Sequence, residues 1–363
     1  MSTIPPCVLT RRLALAAALA FIASACSGDV SAPASEPFIT SFDRMWLTVD
    51  REYSYFDYKA IDWPEVRRQY RPRAEAARST EELVGVVRDA LATLRDVHVW
   101  ILSPGGGTLP TYQPTNRRNW SPVMLAALRQ RPGWLDVSSA VGGGDVDGIP
   151  VIAISTFANG RFDPADFDRL LTAHRDAPAL ILDVRMNGGG NDALAYAVAG
   201  RFTSSGRVGG YYQFRNGLRH DAFTSMTPRA IAPRGSWQFT RPVILLTGRG
   251  AFSSAEGFVS AMRSLPNVTV VGDTTGGGSG NPSVYPLREG YGISVSRWIE
   301  YTADREPIEW RGIAPDSVVV FTDAAVVAGA DETMAAGLSL ARRLSGGGAP
   351  VVQSTAGTVA GAR

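Results

Sequence analysis

Two adjacent serines, Ser253 and Ser254, stand in the stretch GRGAFSSAEGFVSAM, between a glycine-rich approach and residues that read as a helix. A serine at such a place has two uses. Its hydroxyl can accept a free backbone N–H of the first helical turn, which makes serine a preferred N-cap. It can instead attack a carbonyl, provided a neighbouring base removes its proton. Bases are scarce here, because the chain has one lysine, Lys59, and three histidines, His98, His174 and His220. His174, in LLTAHRDAP, falls at the end of a helix, where an imidazole sits near free carbonyls. His220 lies in the polar stretch FRNGLRHDAF and reads as an exposed loop position. His98 differs. The segment LRDVHVWIL reads as a strand with His98 and Trp100 on one face and Val97, Val99 and Ile101 on the other. By its pattern alone His98 is either a satisfied core residue or a base, and the serines are either cap or nucleophile.

The elements that must carry these residues fall into two regions. From 38 to 103, Phe38, Phe42, Met45, Trp46 and Val49 recur at helical spacing. Asp62 with Glu65, and Ser79 with Glu82, form capping-box patterns, and Leu83, Val86, Val87, Ala90, Leu91 and Leu94 line one face of the helix that follows. This predicts a small helical domain. From 104 to 344, the apolar runs IPVIAISTF, ALILDV, PVILLTG and VTVVG alternate with helical segments, as expected of parallel strands buried on both faces. Two units share a plan. ALILDV leads through RMNGGGND to a helix from about residue 193 to 201, and PVILLTG leads through RGAFSSAE to a helix ending near Arg263. Each strand thus ends in a glycine-rich turn that opens a helix, placing unpaired N–H groups where an anion could sit. A nucleotide site is disfavoured, since RMNGGGND lacks the G-x-G-x-x-G spacing and no P-loop is present.

Composition narrows the function further. With 45% hydrophobic and 19% charged residues and a net charge of +2, the chain has an ordinary globular balance and no call for a nucleic-acid partner. No metal or cofactor motif is present. Arg11 and Arg12 precede the apolar run LALAAALAFIASAC, which reads as an export signal. Ala23-Ser24-Ala25-Cys26 is similar to a bacterial lipobox, which predicts residues 1–26 as a lipoprotein signal with Cys26 lipidated, and a membrane-anchored place in the cell envelope. Ser27, where an inner-membrane retention aspartate would stand, favours the outer membrane. Residues 27–37 read as a flexible tether and 345–363 as a disordered tail.

In combination these segments resemble the serine-peptidase superfamily of the C-terminal processing (tail-specific) proteases, the tricorn core protease and the interphotoreceptor retinoid-binding protein repeats. LRDVHVW resembles its L-x-D-x-H element, LILDVRMNGGG its D-x-R-x-N-x-G-G, FSSAEGF its F-S-x-A-E-x-F and EWRGIAPD its E-x-x-G-I-x-P-D. The resemblance implies an α/β fold with a ClpP/crotonase-like core and a small N-terminal helical domain. It implies Ser253 as nucleophile, with the backbone N–H groups of Ser254 and Gly189 as the oxyanion hole. Processing proteases use a lysine in a G-x-x-T-x-G-K-G loop, whereas GDTTGGGSG has Gly278 at that place. The tricorn-like branch uses the histidine instead, which implies His98 as base and Glu309 as its support, with Asp96 and Glu306 as lesser candidates. Lys59 is accordingly expected to be dispensable, its alanine variant staying within about tenfold of native. The stretch between His98 and Ile149 is too short for a PDZ domain. The implied substrates are peptides or unfolded proteins, with no cofactor. The alternative is a non-catalytic envelope protein that binds apolar ligands or peptides.

Overall fold

The computed structural model describes residues 36–346. The export signal, Cys26 and most of the expected tether and tail lie outside them. Helix α1 (Phe38–Glu52) buries Phe42, Met45 and Val49 on the predicted stripe. Helices α2 (Trp63–Glu75) and α3 (Thr80–Ala92) begin where the capping boxes require, with Asp62 Oδ1 accepting the Glu65 N–H at 2.9 Å and Ser79 Oγ accepting that of Glu82 at 3.2 Å. Strands β1 (Trp100–Leu102) and β2 (Thr108–Pro110) and helix α4 (Pro122–Arg129) follow.

Next come β3 (Leu135–Asp136), β4 (Val141–Val146) and β5 (Ile149–Ile154), with α5 (Pro164–Ala173), β6 (Leu180–Asp183), α6 (Asp192–Ala199), β7 (Arg207–Phe214) and β8 (Thr227–Ile231) after them. The β4–β5 hairpin turns on Asp147 and Gly148, both at positive φ (53° and 86°), the backbone a tight I′ turn needs. The chain then runs through β9 (Val243–Thr247), α7 (Ser254–Arg263), β10 (Val268–Gly272), β11 (Ser283–Pro286), β12 (Gly292–Val295), β13 (Trp298–Thr302) and β14 (Ser317–Val318) to α8 (Asp323–Ala328) and α9 (Glu332–Ser345).

The central sheet runs β14-β10-β9-β6-β5-β4-β3, parallel from β14 to β5 and antiparallel beyond. The four apolar runs of the sequence are its middle strands, and β5, β6 and β9 are buried along their whole length. Phe167, Val198, Phe258 and their neighbours cover one face, while Leu128, Met334 and Leu338 cover the other. This is the α/β core that the resemblance implied. Two further sheets were not foreseen: β13-β7-β8 and β11-β12-β1-β2. Their strands are short or half-buried and carry glycine and proline, so they lack the continuous apolar run that marks the central strands. The helical unit does not close on itself. Phe42, Tyr53, Leu83 and Leu91 share a core with Ile101, Leu287, Ile293 and Val295, and β1 pairs with β12 across the expected boundary at 103/104.

Candidate active site

The chain leaves β9, crosses the turn after β6 and enters α7 at Ser253. Gly250 packs on that turn so closely that a Cβ there would lie 2.2 Å from the Arg185 carbonyl oxygen, and the Phe252 N–H donates to the Asn187 carbonyl at 3.0 Å. The turn itself is anchored by buried Arg185, whose guanidinium pairs with Asp183 and Asp331 at 2.7 Å each, which accounts for the D-x-R of the motif. These constraints hold Ser253 at φ 58°, ψ −128°, a region that costs a non-glycine residue about 1–3 kcal/mol. The Ser253 N–H donates to Glu256 Oε2 at 3.2 Å, and its hydroxyl lies 3.0 Å from His98 Nε2, 155 residues away in sequence.

His98 does not sit on a strand. Asp96 Oδ1 accepts the His98 N–H at 2.8 Å, folding residues 96–98 into a turn, and β1 starts only at Trp100. Val97 is consequently exposed, while His98 and Val99 are both buried, so the alternation read from LRDVHVWIL fails over its first half. The His98 carbonyl accepts the Ser294 hydroxyl at 2.8 Å, and its ring stacks on Phe252 at 4.8 Å and 16°. Burial holds the imidazole below its ordinary pKa; Lys59 adds to this, and the Asp96 and Asp192 charges oppose it. His98 Nδ1 has no hydrogen-bond partner among the described residues.

Glu309 does not touch the imidazole. Its Oε1 lies 2.6 Å from Lys59 Nζ and its Oε2 accepts the Ser279 N–H at 3.0 Å. Glu306 is exposed and pairs with Arg311. Lys59 lies in the turn between α1 and α2, and its side chain is fully buried, with Nζ also 3.4 Å from Asp96 Oδ2 and donating to the carbonyls of Leu94 and Arg95. The rings of Tyr53, Tyr55 and Trp310 surround it at 5.7, 5.3 and 5.0 Å. The only sequence signal was the rarity of lysine itself, set in the aromatic run YSYFDYK. The other two histidines lie elsewhere: His174 ends α5, as expected, and His220 is not a free loop residue but stacks on Phe56 and bonds Asp50.

Gly189 is pressed against Ser253 at φ 95°, where a Cβ would lie 2.8 Å from Ser253 Cβ, so only glycine fits. Its N–H, however, donates to Asn187 Oδ1 at 2.9 Å, so the expected oxyanion donor is already engaged. Ser254, the first residue of α7, has no hydrogen bond on its N–H among the described residues, and neither do Gly188 and Gly190. Opposite them, Gly278 shows why a lysine is absent: a Cβ there would lie 1.8 Å from Phe252 Cε2, because the ring that stacks on His98 fills the space.

Comparison with known proteins agrees with this fold. Peptidase family S41 matches residues 148–319 and the tricorn protease C1 domain matches residues 38–92. A carboxy-terminal-processing protease of Bartonella bacilliformis is 27% identical over 139 residues, covering 38% of this chain and 30% of that protein. The chain thus spans less than a third of the length of that relative. A solved structure from Parabacteroides merdae, described as a candidate peptidase, superposes with a TM-score of 0.74 at 28% identity, over 83% of this chain and 95% of that one. Mature CPAF shares the fold with a TM-score of 0.66 at 13% identity, over 87% and 99%. The chain belongs to the superfamily of serine peptidases that carry the peptidase family S41 domain.

Proposed function

We propose that the chain hydrolyses peptide bonds through an acyl-enzyme on Ser253. His98 Nε2 takes the Ser253 proton as Oγ adds to the scissile carbonyl, and the imidazolium then protonates the leaving amine. Water repeats the sequence on the ester, with His98 again as base, and releases the acid. The Ser254 N–H is the free donor beside the nucleophile for the developing oxyanion, and the glycine turn at 188–190 supplies the second. On this reading Gly189 serves once a substrate oxygen displaces or shares its bond to Asn187. Glu309 acts at one remove, through Lys59 and the Asp96 turn, rather than by holding the imidazole.

One observation carries the proposal: a serine held in a strained backbone conformation with its hydroxyl 3.0 Å from a buried imidazole whose pKa is held low. Such strain destabilises the fold, and a protein that only bound apolar ligands would gain nothing from it. Peptides and unfolded proteins are the proposed substrates, captured by the cleft alone. The lipobox-like Cys26 supports attachment to the envelope membrane, and among the described residues no helix is long and apolar enough to cross a bilayer. A fluorophosphonate probe tests the chemistry. Covalent labelling mapped to Ser253 supports the peptidase; a folded protein inert to the probe would instead be a binding protein.

A further inference from the structure

The chain places its sole lysine where a charge is costly to bury, at the meeting point of two strings of hydrogen bonds. The first string runs from Lys59 Nζ to Asp96 Oδ2 (3.4 Å), and from Asp96 Oδ1 to the His98 N–H (2.8 Å), with the Tyr53 hydroxyl donating to Oδ2 at 3.0 Å. The second runs from Nζ to Glu309 Oε1 (2.6 Å) and from Oε2 to the Ser279 N–H (3.0 Å). Ser279 follows Gly277 and Gly278, whose N–H groups both donate to Glu256 at 2.8 Å, and Glu256 accepts the Ser253 N–H. One string ends on the backbone of His98 and the other on that of Ser253.

We propose that Lys59 is a positioning residue for both members of the Ser253–His98 pair, so that the core's active site is complete only when the helical unit delivers it. The inference rests on the peptidase reading above. One ammonium between two carboxylates leaves a net negative charge behind His98, of the sign that favours the imidazolium formed as Ser253 attacks. The charged and titratable groups facing this cluster are Asp96, Glu309 and the phenols of Tyr53 and Tyr55, with Arg95 across the Trp310 ring and Asp192 on the side of α6. Without Lys59, His98 loses a cation that disfavours its protonation, which moves the acid limb of reactivity to higher pH. Glu309, already pushed up by burial and by Asp96, also loses its counter-charge and takes a proton more readily, which withdraws part of the negative charge and limits that displacement.

The test follows the second-order rate of labelling by a fluorophosphonate across pH, in full-length protein, with unfolding monitored by circular dichroism. Lys59→Met is expected to label about a hundredfold more slowly at neutral pH, with its acid limb displaced upward. Adding Glu309→Gln removes the matching anion, so the limb of the double variant returns towards native while its rate stays low. A merely structural role would not reverse the limb in this way. Labelling of Lys59→Met within about threefold of native with an unmoved limb overturns the proposal, as does a double variant whose limb stays displaced. Should the single variant fail to fold, the double variant, which has no member of the pair left uncompensated, decides alone: native-rate labelling overturns the proposal, and slow labelling with a near-native limb supports it. A native chain that labels while the variants match it sinks this inference only. A native chain that never labels sinks the peptidase reading as well.

Discussion

Glu256 and Glu309 are both buried beside the Ser253–His98 pair, and the chain satisfies them by opposite means. Glu256 sits in the first turn of α7 and collects neutral donors: the Thr275 hydroxyl and the N–H groups of Gly277, Gly278 and Ser253. Burial holds its carboxyl up at about 7 even against the downward pull of those donors. Glu309 has one backbone donor and an ammonium that comes from a different part of the chain. Neutral donors carried by the same loop cannot be withdrawn without undoing that loop, so Glu256 works as a knot. A charge supplied from the helical unit can be lost by one substitution or by undocking, so the Glu309 side is conditional. Ser253 is tied to Glu256 directly, whereas His98 reaches the Lys59 charge through Asp96.

The largest effect should come from removing the pair that both sides serve. Ser253→Ala and His98→Ala are each expected to lower turnover by about 10⁴–10⁶-fold, and the double variant little further, because the residues act as a unit; steady-state kinetics on a fluorogenic peptide library would measure this. Native kcat/KM should show an acid limb below the ordinary histidine value of about 6.5, since burial lowers the folded pKa and the base must be neutral to act. A limb well above that value would contradict the environment described for His98.

Placing a lysine at Gly278 sharpens the contrast with processing proteases. Gly278→Lys drives a side chain into the Phe252 ring, so it should reduce labelling by about a hundredfold rather than install a second base. Recovery of activity in a Gly278→Lys, His98→Ala double variant would show that Phe252 yields easily. Next in size, Glu256→Gln turns an amide towards N–H groups that need an acceptor, and should cost about 1–3 kcal/mol in chemical denaturation. An unchanged midpoint would mean that Glu256 is no knot. Smallest of all, Ser254→Ala keeps the backbone N–H on which its proposed role depends and should stay within about tenfold of native, as should His174→Ala and His220→Ala. Equal losses for Ser253→Ala and Ser254→Ala would reopen the choice between the two serines.

Most of the central sheet was legible in the sequence because burial on both faces leaves a local mark: four apolar runs, two of them closed by the glycine-rich turns that open α6 and α7, became adjacent parallel strands. Helix starts were legible for a similar reason, since a capping side chain and the N–H it accepts lie three residues apart. The four motifs likewise pointed to the serine, the histidine and the glutamate. What they could not carry was contact. His98 left its expected strand because an aspartate two residues earlier took its N–H, a choice between two local patterns that burial of the ring decides. The partner of Glu309 lies at Lys59, and the ring that excludes a lysine at Gly278 belongs to Phe252. The Gly189 N–H is occupied through a side-chain orientation at Asn187. Periodicity and spacing record which face of an element is buried, and they record nothing about which distant group will neutralise a buried charge. That choice is made when the helical unit docks on the core, because only there do an ammonium and two carboxylates lose water together and have to satisfy one another.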